Sequence, residues 1–172
     1  MTGVQTCALP ISDRVREALF SILADRVPKA RVLDLCAGSG ALGLEALSRG
    51  AGHATFVERD RKTADVLRAN AVTLGVPPDA HEILVEPARR ALQRTARTYD
   101  LMLCDPPWPD VPDIARDLLA AAPRLLNPRG LLVLEHRAGE APPVPNGLRA
   151  VDARKYGDTA LLICAHAPET SP

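Results

Sequence analysis

The chain has 172 residues, enough for one domain with a hydrophobic core. Its formal net charge is zero and 47% of its residues are hydrophobic, so the composition is typical of a globular protein and the total charge indicates no particular partner. No apolar run approaches the roughly 20 residues that a membrane-spanning helix needs, and no secretory pattern opens the chain, so we expect a cytoplasmic protein without a membrane segment.

Cysteine usage gives no sign of a metal site. None of the cysteines forms a CxxC pair, so a zinc site is not expected. Three of them lie in apolar, strand-like runs, which is typical of small buried thiols in a reducing compartment. The cysteines are Cys7, Cys36, Cys104 and Cys164.

The first eleven residues, MTGVQTCALPI, differ in character from the rest of the chain, since they carry no charge and no regular period. Residues 2–11 correspond to the translation of a sequencing adapter. We therefore predict that residues 1–11 are a non-native extension that replaces the native N-terminal segment, and we leave them out of fold reasoning. A native genomic sequence that encodes residues 2–11 would contradict this prediction.

From Ser12 onward, helical and strand patterns alternate along the chain. Helices are predicted at 12–27, 41–50, 60–75, 88–96 and 110–126, and strands at 31–36, 53–58, 81–86, 99–104 and 129–137. A proline-rich loop at 141–147 then leads to strands at 148–156 and 159–166, and residues 167–172 are a disordered tail. The sequence therefore predicts one α/β domain over residues 12–166. Its seven-stranded sheet is mostly parallel, with helices on both faces and a C-terminal antiparallel hairpin.

A glycine-rich loop, AGSGALG, follows the first predicted strand. Gly38, Gly40 and Gly43 form a G-x-G-x-x-G pattern at the start of a helix, where glycines allow a close ligand approach and helix N–H groups are free. Glu58 ends the second strand, where an acid can accept hydrogen bonds from ribose hydroxyls. This pattern fits NAD and S-adenosylmethionine equally. Asp34 favours the second, because a carboxylate inside a strand needs a partner such as a cationic ligand or the loop's own N–H groups.

The stretch LCDPPWPD, residues 103–110, ends the fourth predicted strand. In an open parallel sheet the ends of strands one and four flank the ligand crevice, so we expect Asp105 beside Gly40. Asp105 and the Pro106 carbonyl can accept hydrogen bonds from an exocyclic amine, and Trp108 offers a stacking face worth roughly 1–3 kcal/mol to a flipped base. A lone double proline is more often a loop breaker, but beside the glycine loop the functional interpretation is favoured.

The motifs SDRVREALFSIL, LDLCAGSGALGLEALSRGA, FVERD, DPPW and KYGDTALLI occur in this order along the chain. DPPW matches the Asp/Asn-Pro-Pro-aromatic signature of methyltransferases that modify exocyclic or amide nitrogens. Together the motifs resemble the RsmD family, the Rossmann-like class I methyltransferases of guanine N2 in 16S rRNA, from Ser12 to about Ala165. The resemblance implies S-adenosylmethionine as cofactor, 16S rRNA or the assembled small subunit as partner, no metal, and a monomer.

Residue roles are carried over from this resemblance by position. It assigns the cofactor to Asp34, Ala37, Gly38, Ser39, Gly40, Glu58, Arg59, Glu86 and Ala88. It assigns the target guanine to Asp105, Pro106, Pro107 and Trp108, and the RNA to Arg14 and Arg16. Lys155 lies by the YGDT hairpin turn, and both an RNA contact and a structural role in the turn stay open for it.

The chain departs from the family pattern at two places. Residues 9–11 stand where the family has Arg-Pro-Thr after a basic hairpin, so part of the RNA-binding surface is expected to be absent. Pro87 stands where the family has an acid that contacts adenine, and this leaves Glu86 as a weaker candidate for that contact.

Three alternatives stay open on the sequence. The first is another amine methyltransferase, acting on adenine N6 or a protein glutamine; Asp rather than Asn at position 105 disfavours glutamine. The second is an NAD-dependent oxidoreductase domain, which lacks an evident catalytic Tyr-x-x-x-Lys or His. The third is a truncated cofactor-binding domain without activity. Glu135 and His136 end the fifth strand, either at the rim of the site or simply where the strand meets water.

Overall fold

The computed structural model describes residues 12–168 and contains one seven-stranded sheet. The strands are β1 (Arg31–Leu35), β2 (His53–Glu58), β3 (His81–Val85), β4 (Tyr99–Cys104), β5 (Leu126–Arg137), β6 (Leu148–Tyr156) and β7 (Thr159–His166). Their order is β3-β2-β1-β4-β5-β7-β6, with β1 to β5 parallel and β7 antiparallel to both of its neighbours. The predicted sheet is confirmed. The predictions for residues 1–11 and for 169–172 lie outside the described residues.

Five α-helices cover the two faces of this sheet. They are α1 (Asp13–Ile22), α2 (Ala41–Ser48), α3 (Arg61–Thr73), α4 (Ala88–Arg94) and α5 (Val111–Leu125). Side chains cap two of them, because Ser12 accepts a hydrogen bond from the Val15 N–H and Asp60 accepts one from the Thr63 N–H. One hydrophobic core lies between the sheet and α1 to α3, and a second lies between the sheet and α4 and α5. The helices therefore bury both faces of the strands, as predicted.

Two predicted boundaries were wrong. The first helix ends at Ile22, and Ala24–Arg26 form a 3₁₀ turn instead of continuing the α-helix to position 27. Leu23 and Val27 are buried on either side of that turn, so the apolar spacing continues although the helix type changes. Strand β5 begins at position 126 rather than 129, with an irregular register against β4. A Cβ at Gly130 would lie 3.0 Å from two carbonyl oxygens, so a glycine makes this early pairing possible.

The register of the strands places the carboxyl ends of β1, β4 and β5 side by side, at the edge of the sheet where a ligand is expected. Leu35 at the end of β1 pairs with Cys104 at the end of β4, and Cys104 in turn pairs with Leu134 of β5. The loops that follow these three strands are therefore neighbours, at the point between β1 and β4 where the strand order reverses. Because β7 is antiparallel to β5, with Arg137 opposite Thr159, the β6–β7 turn reaches the same edge.

Three features of residues 12–168 concern membrane helices, cysteines and metal ligands. No helix in this range is both long and apolar enough to cross a bilayer. Cys104 and Cys164 are buried free thiols, as predicted, whereas Cys36 is only half-buried. In the same range no group of three or more His, Cys, Asp or Glu side chains is placed to hold a metal ion. Cys7 lies outside the described residues.

Candidate active site

The loop between β1 and α2 makes a tight turn with a left-handed backbone at alternate residues. Cys36, Gly38 and Gly40 have φ values of 68°, 55° and 91°. A non-glycine residue in this region is uncommon and is often found at functional sites. A Cβ at Gly38 would meet nothing within 4 Å, so this side of the loop faces open space. A Cβ at Gly40 would lie 2.1 Å from the Leu67 side chain, so Gly40 instead lets the loop pack closely against α3.

Asp34 lies buried beneath this loop, with 2% of its surface exposed. Its Oδ2 accepts a hydrogen bond of 2.8 Å from the backbone N–H of Gly43, one of the free N–H groups in the first turn of α2. Its pKa is raised to about 7, mainly by burial; the Gly43 N–H opposes the rise, and the charges of Asp105 and Glu58 add to it. The sequence offered two partners for Asp34, a cationic ligand or an N–H group of the glycine loop, and the described residues supply the N–H group.

Glu58 holds the glycine loop from the β2 side. Its Oε2 accepts a hydrogen bond from the Gly38 N–H at 2.9 Å, and its Oε1 accepts one from the Asp60 N–H at 2.8 Å. On the α3 side the Asn70 side-chain amide donates to the Ser39 carbonyl at 3.0 Å. Each carboxylate oxygen of Glu58 retains a further lone pair, so the residue can still accept a ribose hydroxyl.

The DPPW turn follows β4 directly. Asp105 is half-buried, Pro106 is buried, and Trp108 emerges from the core with 39% of its surface exposed. Trp108–Asp110 form a 3₁₀ turn that is closed by a hydrogen bond from the Asp110 N–H to the Pro107 carbonyl. Since the prolines fix φ, the ring of Trp108 is presented by a stiff segment beside the glycine loop.

Glu135 brings a further carboxyl group to the site. It is 4% exposed, and its Oε2 has no hydrogen-bond partner among residues 12–168. Its pKa is raised to about 8, mainly by burial and also by the charge of Asp105, while a hydrogen bond with the Thr159 side chain opposes the rise. The interpretation of Glu135 as the point where β5 meets water is therefore wrong. The sequence signal for a buried Glu135 was its position inside the apolar run LLVLEH, near the carboxyl end of β5.

Two arginines contact the turn that carries Trp108, and the sequence predicted neither contact. The guanidinium carbon of Arg137 lies 5.5 Å from the centroid of the Trp108 ring. Arg59, expected at the cofactor, forms an ion pair with Asp110, with 3.0 Å between Nη2 and Oδ2. Arg59 thus links the loop after β2 to the turn after β4.

The third strand contributes least to the predicted cofactor site. The carboxylate of Glu86 lies 3.3 Å from Arg90 Nε and 3.2 Å from Arg94 Nη1, so two arginines of α4 hold it. Ala88 is the first residue of α4, and Ala37, in the glycine loop, is buried. Two arginines of the helix that follows it therefore hold Glu86, and its contact with the cofactor stays a prediction.

The three residues predicted to bind RNA lie on two separate elements. Arg14 and Arg16 belong to α1, and Lys155 is exposed near the end of β6. Arg14 is exposed, whereas Arg16 pairs with Asp13 at 2.8 Å and lies 3.9 Å from Glu45. Among the described residues, Arg14 and Lys155 form no ion pair, so they are the more available cations.

Comparisons with known proteins agree with this geometry. The model of the family described as conserved hypothetical protein 95 matches residues 5–165. Ribosomal RNA small subunit methyltransferase D of Escherichia coli (strain K12) is 38% identical over 144 residues, which cover 84% of this chain and 69% of that protein. Its namesake from Haemophilus influenzae is 37% identical over 101 residues, 58% of this chain and 52% of that protein. A hypothetical protein of known structure from Thermus thermophilus superposes with a TM-score of 0.80 and 30% identity, over 97% of this chain and 93% of that one.

Proposed function

The chain belongs to the conserved hypothetical protein 95 family, that is, the RsmD family, and on that premise we propose that it methylates the exocyclic N2 of one guanine in 16S rRNA with S-adenosylmethionine. It is an rRNA methyltransferase, and the expected Rossmann-like methyltransferase fold is confirmed. The observation that carries the choice of cofactor and target is the meeting of the glycine loop, Glu58 and the DPPW turn at one edge of the sheet.

The side chains around the glycine loop fit S-adenosylmethionine. Gly38 borders open space, and Glu58 retains lone pairs for ribose hydroxyls. Asp105 lies close enough to Asp34 and to Glu135 to raise the pKa of each, so the site favours a cation. When bound, the cofactor supplies a methyl group on a positively charged sulfur. NAD would instead bring two phosphates towards these carboxyl groups, and like charges would repel it.

The DPPW turn is suited to holding an aromatic amine. We assign Asp105 and the Pro106 carbonyl as acceptors for the two N–H groups of guanine N2, and Trp108 as the face on which the extruded base stacks. Asp105 and the prolines then orient the nitrogen lone pair towards the methyl group. Because these acceptors are fixed before the base arrives, proximity and orientation supply most of the rate enhancement, and no strong general base is required.

Basic residues outside the DPPW turn and the glycine loop are proposed to contact the RNA. We assign Arg14, Arg16 and Lys155 to the phosphates of 16S rRNA, either free or in the small subunit. Arg16 would exchange its ion pair with Asp13 for an RNA phosphate. We further propose that the protein acts as a cytoplasmic monomer without a metal ion.

Methylation of undermodified small subunits, followed by mapping of the modified nucleotide, tests this proposal. We expect the label on N2 of a single guanine. Label on adenine N6 would contradict the proposed target. Calorimetry with S-adenosylmethionine, S-adenosylhomocysteine and NAD tests the cofactor, and a preference for NAD would overturn it.

A further inference from the structure

The guanidinium carbon of Arg137 lies over one face of the Trp108 ring, 5.5 Å from the ring centroid. We propose that Arg137 occupies this face in the free protein, yields it to the target base, and then contacts the RNA backbone as a positioning residue. This inference rests on the proposed function, because it assigns a base to Trp108. It concerns a residue of β5 that lies outside the glycine loop and the DPPW turn.

The local contacts make the guanidinium, and not the ring, the part that can move. Trp108 follows two prolines and is held in a 3₁₀ turn, and the Arg59–Asp110 ion pair fixes the far end of that turn. The side chain of Arg137 is 58% exposed. Within residues 12–168 its nearest acid is Glu140, with a long separation of 3.9 Å between Nη1 and Oε1. A weakly held arginine thus lies against a rigid ring.

A guanidinium and a base compete for the same kind of surface. The guanidinium is planar, delocalised and weakly hydrated, so it stacks on an aromatic ring much as a base does. A base stacked on an aromatic side chain gains more than an exposed cation–π contact provides. The target base can therefore displace Arg137, while Arg137 keeps the ring of Trp108 covered until RNA arrives.

Displacement leaves Arg137 at the rim of the site, where the nucleotides flanking an extruded base carry phosphates. Its forked donors match a phosphate, and this interaction is stronger than a neutral hydrogen bond. One side chain would thus oppose the binding of an isolated base and favour the binding of RNA. These two effects have opposite signs, which distinguishes the proposal from a structural role for Arg137.

Fluorescence provides the test, because Trp108 is the only tryptophan of the chain. The full chain is compared with Arg137→Gln and with Arg149→Gln. The second variant removes the same charge from β6, at the end of the β6–β7 hairpin opposite its turn. With S-adenosylhomocysteine present, each protein is titrated with guanosine, which has no phosphate, and with a short RNA that contains the target guanine.

We expect acrylamide to quench Trp108 more strongly in Arg137→Gln. We also expect that variant to bind guanosine about two- to fivefold more tightly, as the loss of an exposed cation–π contact predicts. Its affinity for the RNA should fall by at least about threefold, as expected for a lost contact between an arginine and a phosphate. Arg149→Gln should match the unchanged chain with guanosine.

Two results would overturn the proposal. If Arg137→Gln weakened guanosine and RNA equally, Arg137 would merely support Trp108. If guanosine failed to change the fluorescence of Trp108 in either protein, the ring would not receive a base. The proposed function fails separately, when rRNA is not methylated although guanosine still binds against Trp108 with the expected dependence on Arg137.

Discussion

Glu58 and Gly38 are joined by a hydrogen bond of 2.9 Å from the backbone N–H of the glycine to Oε2 of the acid. The other oxygen of the same carboxylate accepts the Asp60 N–H at 2.8 Å. The acid proposed as a ribose ligand therefore also fixes the loop that would surround the cofactor. Binding and loop geometry are coupled through one side chain.

Replacing Glu58 with Gln should weaken both the fold and the cofactor site. The amide offers one oxygen where two backbone N–H groups need acceptors, so one of these hydrogen bonds is lost. We expect the free energy of unfolding to fall by about 1 kcal/mol. Urea unfolding and calorimetry with S-adenosylmethionine measure the two effects. Glu82→Gln is the matched control, since Glu82 is half-buried and its one ion pair among the described residues is with Arg97. Equal losses in both variants would contradict the coupling.

Alanine substitutions at two glycines of the motif should have different effects on the free energy of unfolding and on the affinity for S-adenosylmethionine. A Cβ at Gly43 would lie 2.3 Å from the ring of Phe56, which is fully buried, so Gly43→Ala should cost about 1–3 kcal/mol. A methyl group at Gly38 meets open space and brings only the strain of a left-handed backbone, about 1 kcal/mol. Gly38→Ala should nevertheless lose more affinity for S-adenosylmethionine. The reverse ranking in urea unfolding would show that the packing at Gly43 can relax.

Asp34 should couple cofactor binding to proton release near neutral pH. Its pKa of about 7 leaves it partly protonated at pH 7, and a sulfonium nearby would favour the ionised form. We expect S-adenosylmethionine to release a fraction of a proton, and S-adenosylhomocysteine, whose sulfur is neutral, to release less. Calorimetry in two buffers of different ionisation enthalpy measures this difference. Asp34→Asn should reduce this difference, and identical proton release with both ligands would count against a cation beside Asp34.

Asp34 and Glu135, whose pKa values are raised in the folded protein, should make the fold less stable as pH rises. Folding raises the pKa of Asp34 from 3.8 to about 7 and that of Glu135 from 4.5 to about 8, so the folded state binds protons more tightly. Their contribution is complete below about pH 4 and is lost as pH rises through these folded values. Urea unfolding between pH 6 and 9 should show this decline, and Glu135→Gln should flatten its upper part. Parallel curves for the two proteins would contradict the assignment.

Asp105 should be essential for methyl transfer but not for cofactor binding. Asp105→Ala removes an acceptor for the target amine and leaves the glycine loop and Glu58 in place. We expect transfer of labelled methyl groups to small subunits to be abolished, while calorimetry still detects S-adenosylmethionine. Turnover equal to that of the unchanged chain would remove Asp105 from the mechanism.

The sequence predicted the sheet and the meeting of the two motifs because both follow from patterns along the chain. Strands buried on both faces are continuously apolar, and the ends of parallel strands share one edge. The contacts of Arg137 with Trp108 and of Arg59 with Asp110 depend on side-chain directions across the sheet, which no local pattern encodes. The early start of β5 was missed because residues 127–130, Asn-Pro-Arg-Gly, have the composition of a turn.

The last strand of the domain to be synthesised is an interior one. β7 lies between β5 and β6, and until it is in place β5 is the edge of the sheet. The hydrogen bond from Thr159 to Glu135 also forms only when β7 is paired. Such long-range pairing is slow, and an open edge invites aggregation. A protein that lacked β7 would therefore keep β5 as an open edge, and we expect it to aggregate rather than to remain as a less active enzyme.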